Sequence, residues 1–202
     1  MAHSDPHAAN DNAPLTPIET LRSRAREEVM AGVVTPNYAL DPDEVVRLLN
    51  GALATEWVCA MRYKRHYFVA KGIKARVAAS EFLEHANQEM DHADRLAERI
   101  VQLGGEPDLD PEGLADRAHA QYHAGTELVE MIKEDLIAER IAIESYRELV
   151  QYLGEKDPTT RRLLEEILAV EEEHADDLLD LLEGEPGAPK TLNATKQRSV
   201  EH

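Results

Sequence analysis

A chain of 202 residues is long enough for one domain of ordinary size with extensions, and 43% hydrophobic residues with only 4% aromatic point to an aliphatic helical core. Its 40 acidic against 22 basic residues give a formal charge of −18, which repels nucleic-acid phosphates and anionic membranes and concentrates cations. The single Cys59 excludes an intrachain disulfide, no window reaches the ~18 apolar residues of a membrane span, and no N-terminal stretch reads as an export signal, so a soluble protein of the reducing cytoplasm is expected.

Residues 1–15 lack periodicity and read as a mobile tail. Thr16, Pro17 and Glu19 then form a capping-box pattern with proline at the first helical position, which predicts a short helix over about 17–31. Asp41, Pro42 and Glu44 repeat the start signal. Val45, Val46, Leu48, Leu49, Ala52, Leu53, Val58 and Met61 then recur at helical spacing up to Lys71-Gly72, a first long helix. A second covers 75–103 and stops at Gly104-Gly105. Pro107 and Pro111 break the pattern, so residues 104–125 read as a long crossover with room for a short helix after Asp110-Pro111. The third long helix runs from about 126 to Leu153, and the fourth is capped by Asp157-Pro158 and ends at Gly184. Residues 185–202 carry no apolar stripe and are expected to be a disordered polar tail, leaving 1–41 as an N-terminal extension and 42–184 as the bundle. Two hairpins joined by one long crossover is the connectivity of ferritin-like bundles rather than of simple up-down bundles.

The second and fourth long helices each carry a Glu-x-x-His: Glu89-Met90-Asp91-His92 and Glu171-Glu172-Glu173-His174. Positions i and i+3 share a helix face, so each pair is able to grip one metal. A di-iron bundle takes such a motif from two helices and one glutamate from each of the others. Glu56, within the apolar run Leu49, Ala52, Leu53 and Ala60, and Glu139, between Leu136, Ile137, Ile141 and Ala142, stand where a bundle buries side chains. Buried carboxylates facing one another repel strongly unless cations lie between them. Two divalent irons offset the four negative charges, and two neutral imidazoles add ligands without charge. A charged chain also yields Glu-x-x-His by chance on solvated faces; the joint arrangement over four helices is what separates this case.

The strings Glu89-Met90-Asp91-His92-Ala93-Asp94-Arg95, Asp135-Leu136-Ile137-Ala138-Glu139 and Glu171-Glu172-Glu173-His174 resemble the bacterioferritins and the similar Dps-like ferritins, over roughly residues 42–183. The resemblance implies a ferroxidase centre of two irons per subunit. Glu89 and Glu171, or their counterparts, would bridge the irons, with Glu56, Glu139, His92 and His174 as terminal ligands; which two bridge stays open. Tyr63, two turns after Glu56, matches a tyrosine beside the family's site and would orient a ligand or supply an electron; a core tyrosine is the alternative. Met90 matches the methionine that ligates haem across a two-fold axis, and the stripe Ala79, Leu83, Ala86, Met90, Ala93, Ala97 would face outward and leave room for it; plain packing of a dimer interface is the alternative. The chain departs from the family in two places. The tail after Gly184 offers no fifth helix, which favours a 12-subunit over a 24-subunit hollow shell, and Glu84 and Gln88 stand where bacterioferritins often carry a further iron site.

The expected function is therefore that of a ferroxidase and iron-storage protein, oxidising Fe2+ with O2 or H2O2 and depositing ferric mineral in an oligomeric shell. One rival is a rubrerythrin-like peroxide-reducing enzyme, which normally needs a Cys-x-x-Cys module that one cysteine cannot supply. Another is a Dps-type DNA-protecting shell, but the first 20 residues contain no Lys or Arg, and only Arg22, Arg24, Arg26 and the Lys190, Lys196, Arg198 tail could serve. A metal-free structural bundle is the third, and the inward carboxylates speak against it.

Overall fold

A computed structural model describes residues 15–73 and 75–183. The expectations for the tails 1–15 and 185–202 fall outside these residues, Leu15 apart. The described residues form helices and no strand: α1 (Ile18–Glu27), a 3-10 turn at Val29–Ala31, α2 (Pro42–Val69), α3 (Ala75–Gln102), the short α4 (Leu114–Arg117), α5 (Leu128–Leu153) and α6 (Pro158–Glu183). The four long helices make two hairpins, α2 on α3 and α5 on α6, and residues 103–127 cross between them, with α4 lying against α2.

Start signals act unequally. Asp41 accepts a hydrogen bond from the Asp43 backbone at 3.1 Å, with Pro42 at the first helical position, and Asp157 accepts from Thr160 N at 2.9 Å at the start of α6. Thr16 caps nothing: Pro17 takes the cap position of α1 without a side-chain bond, and the helix buries no residue. The pattern expected to run to residue 31 ends at Glu27 because no apolar face holds its last turn. Helix α5 starts on a reciprocal capping box between Glu127 and Glu130 and stops at Gly154, whose φ of +50° suits glycine.

The core consists of two apolar plugs. One gathers Leu49, Leu53, Leu96, Ile100, Leu149, Leu164 and Ile167, the other Tyr63, Phe82, Met131, Ile132, Leu178 and Leu182. On every long helix the residues of one plug precede and those of the other follow a polar midsection, so the chain is built to enclose charge at mid-bundle. Val34, Tyr38 and Leu40 of the N-terminal extension pack on the first plug, and the Tyr38 hydroxyl donates to Asp157 at 2.7 Å. The crossover is held by a buried ion pair. Arg62 Nε of α2 meets Asp135 of α5 at 2.8 Å, Arg62 Nη1 donates to the Gln121 carbonyl at 2.9 Å, and His66 spans Asp135 and the carbonyls of His123 and Ala124. Burial pushes the Asp135 carboxyl up, against the pull of His66 and Arg62. Gly125 closes this contact at φ +61°, where an added Cβ would stand 2.5 Å from Met131 Cγ.

Two details of patterning differ from the expectation. Ile137 is exposed, and Asp135, Ala138 and Ile143 join the expected Ala142 on the buried face of α5. On α3, Ala86 and Ala93 do not face outward: they are buried in the chain's own core. The six-residue stripe lies on the flank of the buried face, so its two central alanines are consumed by internal packing, while Ala79, Leu83, Met90 and Ala97 stay partly exposed.

Candidate metal centre

Glu56 of α2, Glu89 and His92 of α3, Glu139 of α5, and Glu171 and His174 of α6 converge between the two plugs, all at 2% exposure or less. The structure resolves them into two sets of four, Glu56/Glu89/His92/Glu171 and Glu89/Glu139/Glu171/His174, with the ligand atoms of each set within 4.8 Å of one another. Glu89 and Glu171 belong to both sets. His92 Nδ1 stands 3.2 Å from Glu56 and 2.9 Å from Glu171; His174 Nδ1 stands 3.4 Å from Glu89, 3.4 Å from Glu171 and 3.8 Å from Glu139.

His92 lies within hydrogen-bond reach of Glu56 and Glu171, whereas the His174 separations of 3.4 to 3.8 Å suit atoms sharing a cation. Ligands bound at about 2.1 Å around one ion stand roughly 3 to 4 Å apart, longer than a good hydrogen bond. Glu89 Oε1, Glu139 Oε2, both Glu171 oxygens and His174 Nδ1 are fully buried yet have no hydrogen-bond partner. Orphans at that density are costly unless something accepts their lone pairs.

The outer groups fix the inner ones. Tyr63 of α2 donates its hydroxyl to Glu139 on α5, and Tyr146 of α5 donates to Glu56 on α2, so each lone glutamate is held by a tyrosine from the opposite hairpin. Gln88 Oε1 accepts from His174 Nε2 at 2.7 Å, which leaves Nδ1 to face the carboxylates. Tyr146 escaped sequence reasoning although it lies seven residues after Glu139, as Tyr63 lies seven after Glu56. Met90, one residue beyond Glu89, is partly exposed and belongs to neither set. Cys59 is buried and its thiol is pushed well up by desolvation and the charge of Glu89, which keeps it protonated.

Without cations, protons must neutralise the centre. Burial, then the charges of Glu171 and Glu56, raise Glu89 well above the carboxylate range, and burial and Glu56 raise Glu171 to about 7. Burial also acts upward on Glu56 and Glu139, but the hydrogen bond from His92 and the nearby charged His174 imidazole prevail and hold them low, Glu139 at about 2. Burial acts downward on the imidazoles, yet their carboxylate partners carry His92 to about 9 and His174 to about 10. The centre therefore stores protons that two divalent cations would displace.

Residues 46–186 match the ferritin-like domain. The chain belongs to the ferritin-like family. It is 33% identical over 145 residues to the bacterioferritin of Brucella melitensis, covering 69% of this chain and 84% of that protein. It is likewise 33% identical over 151 residues to the DNA protection during starvation protein of Pyrococcus furiosus, covering 73% and 81%. Among solved structures, a dodecameric thioferritin, the bacterioferritin-related protein from Bacteroides fragilis, superposes with a TM-score of 0.69 at 36% identity, covering 71% of this chain and 87% of that one. This ferritin-like chain is thus placed in an iron-storage family and carries a buried carboxylate and histidine cluster fit for metal. Among the described residues, no helix is long and apolar enough to cross a membrane.

Proposed function

We propose that the protein is a ferroxidase that oxidises Fe2+ in pairs and stores the product as ferric mineral inside a shell of its own subunits. The observation that carries this reading is the division of six buried side chains into two four-ligand sets sharing Glu89 and Glu171. Such sharing holds two ions side by side, where each gives one electron to a common oxidant. Two Fe2+ with O2 and two protons yield two Fe3+ and H2O2; with H2O2 as oxidant and two protons they yield two Fe3+ and two waters. Protons released from His92, His174 and Glu89 on iron entry lie at the place where the reduced oxidant needs them. Tyr63 and Tyr146 hold Glu139 and Glu56 in place, and the hydroxyl of either is near enough to the centre to serve as an electron donor.

Surface acid, reflected in the charge of −18, draws Fe2+ toward the shell. Twelve subunits are favoured, as in the dodecameric Bacteroides fragilis relative, which predicts scattering near 270 kDa, about twelve times 22.6 kDa. DNA protection, named for the Pyrococcus furiosus relative, would call for a basic surface that this acidic chain lacks in net charge. For haem, the burial of Ala86 and Ala93 removes the space argument and leaves the exposed flank at Met90; a Soret band lost in Met90→Leu would establish it.

The test is oxidation of Fe2+ by the iron-free assembly, followed by ferric absorbance. Wild type should oxidise about two Fe2+ per subunit in a fast phase, and Glu89→Gln with Glu171→Gln should abolish that phase while the helical spectrum is kept. An unchanged fast phase in that variant would refute the assignment.

A further inference from the structure

One helical turn before Glu89 on α3, and three residues after His174 on α6, lies a group that the six-ligand centre does not use. His85 is 1% exposed, and neither ring nitrogen has a hydrogen-bond partner. Its ring is fixed on both sides, stacked on His174 at 4.0 Å between centroids and met edge-on by Tyr63 at 5.2 Å. Its Nε2 points at two carboxylates, Asp177 at 3.5 Å and Glu81 at 4.0 Å.

Those distances are too long for hydrogen bonds. They come near the roughly 3.3 Å between neighbouring ligand atoms of one tetrahedral cation, with a shift of about 0.7 Å needed at Glu81. The three ligand atoms lie within 4.8 Å of one another. An imidazole locked by its neighbours, with a buried unpartnered nitrogen aimed between two carboxylates, has the chemistry of a site for Fe2+ or Zn2+ rather than of a solvated acidic patch. Exposure grades outward from it: His85 is buried, Glu81 has 31% of its side chain exposed and Asp177 55%, whereas all six inner ligands are shut off from solvent. With three protein ligands and an open side, the site would keep exchangeable water and release its ion readily.

We propose that Glu81, His85 and Asp177 form a third divalent-cation site, a surface-facing antechamber that takes Fe2+ from solvent beside the inner pair. The site stands on its own residues, while its role as antechamber rests on the ferroxidase reading. Stacking of His85 on His174 couples the two physically, because an ion bound at Nε2 fixes the ring that lies against an inner ligand.

The test separates these claims with Zn2+, which does not change oxidation state. The iron-free assembly, titrated calorimetrically, should bind about three Zn2+ per chain. Glu81→Gln with Asp177→Asn replaces two exposed or half-exposed carboxylates by isosteric amides and should bind about two; Glu89→Gln with Glu171→Gln should keep the third. An anomalous zinc peak within bonding distance of His85 Nε2 should vanish in E81Q/D177N. Equal Zn2+ stoichiometry in wild type and E81Q/D177N would overturn the site. Oxidation at limiting Fe2+ should slow several-fold in E81Q/D177N; loss of the third Zn2+ with an unchanged rate would overturn the antechamber role. Full Zn2+ binding by a wild type that oxidises no Fe2+ would sink the ferroxidase reading and leave the site standing.

Discussion

Tyr146→Phe removes one oxygen from the protein, yet its effect should be confined to one of two neighbouring ions. The Tyr146 hydroxyl donates to Glu56 Oε1, while Glu56 Oε2 faces His92 at 3.2 Å. Phenylalanine fills almost the same volume, so the carboxylate keeps its place but loses the donor that fixes its orientation. A hydrogen bond to a charged group contributes about 1.5 to 3 kcal/mol, and loss of a ligand's orienting partner costs about 10- to 100-fold in metal affinity. Glu56 occurs only in the set with His92, so that ion should weaken by this factor and its neighbour hardly at all. Tyr63→Phe should do the reverse through Glu139, which occurs only in the set with His174. Redox-stable Co2+ is a suitable probe: calorimetry should change from one tight phase to two phases in each variant. Anomalous scattering at substoichiometric Co2+ should show occupancy near His174 in Y146F and near His92 in Y63F. If both variants emptied the same position, or neither changed the isotherm, the pairing of one tyrosine with one ion would be wrong.

Metal binding should strengthen as pH rises, because His92 and His174, raised to about 9 and about 10 in the metal-free centre, are protonated at neutral pH and must release protons to bind. Calorimetry in buffers of different ionisation enthalpy should report release of about two protons or more per metal pair at pH 7, and affinity should fall steeply between pH 8 and 6; no net release would contradict the proton-storing centre. Arg62→Met should cost about 3 kcal/mol by leaving the buried Asp135 with His66 alone, while pairing it with Asp135→Leu should recover part of the loss, read by chemical denaturation. Asp157→Ala removes the cap on Thr160 N, the acceptor of Tyr38 and the partner of Arg99, and should lower stability by about 2 to 4 kcal/mol. A loss under ~0.5 kcal/mol would mean these bonds merely replace water.

The long helices were legible because apolar periodicity over more than twenty positions outweighs local propensity, and because glycine at 104 and 154 marks their ends. The convergence of Glu56, Glu89, His92, Glu139, Glu171 and His174 was legible for a different reason: charged groups inside an apolar stripe have few acceptable explanations. What stayed hidden depends on azimuth or on partners from another helix. The Ala79–Ala97 stripe has the right period, but period alone does not say how far a face is rotated from the core, and Ala86 and Ala93 fall on the buried side. Thr16 carries a capping sequence without an apolar face to dock the helix behind it. His85 is four residues before Glu89, but its meaning depends on Asp177, whose position opposite is set by the packing of α6 on α3.

The ligand pattern repeats within the chain. Glu56 and Tyr63 on α2 correspond to Glu139 and Tyr146 on α5, and Glu89 and His92 on α3 to Glu171 and His174 on α6. Each four-residue set therefore takes three groups from one hairpin and the fourth from the other. Neither hairpin holds a complete set, so a metal ion bound there would act as a lock between two half-molecules. The segment 103–127 contributes no ligand to either set; it tethers the two halves and is itself gripped through its carbonyls by Arg62 and His66, beside their pairing with Asp135.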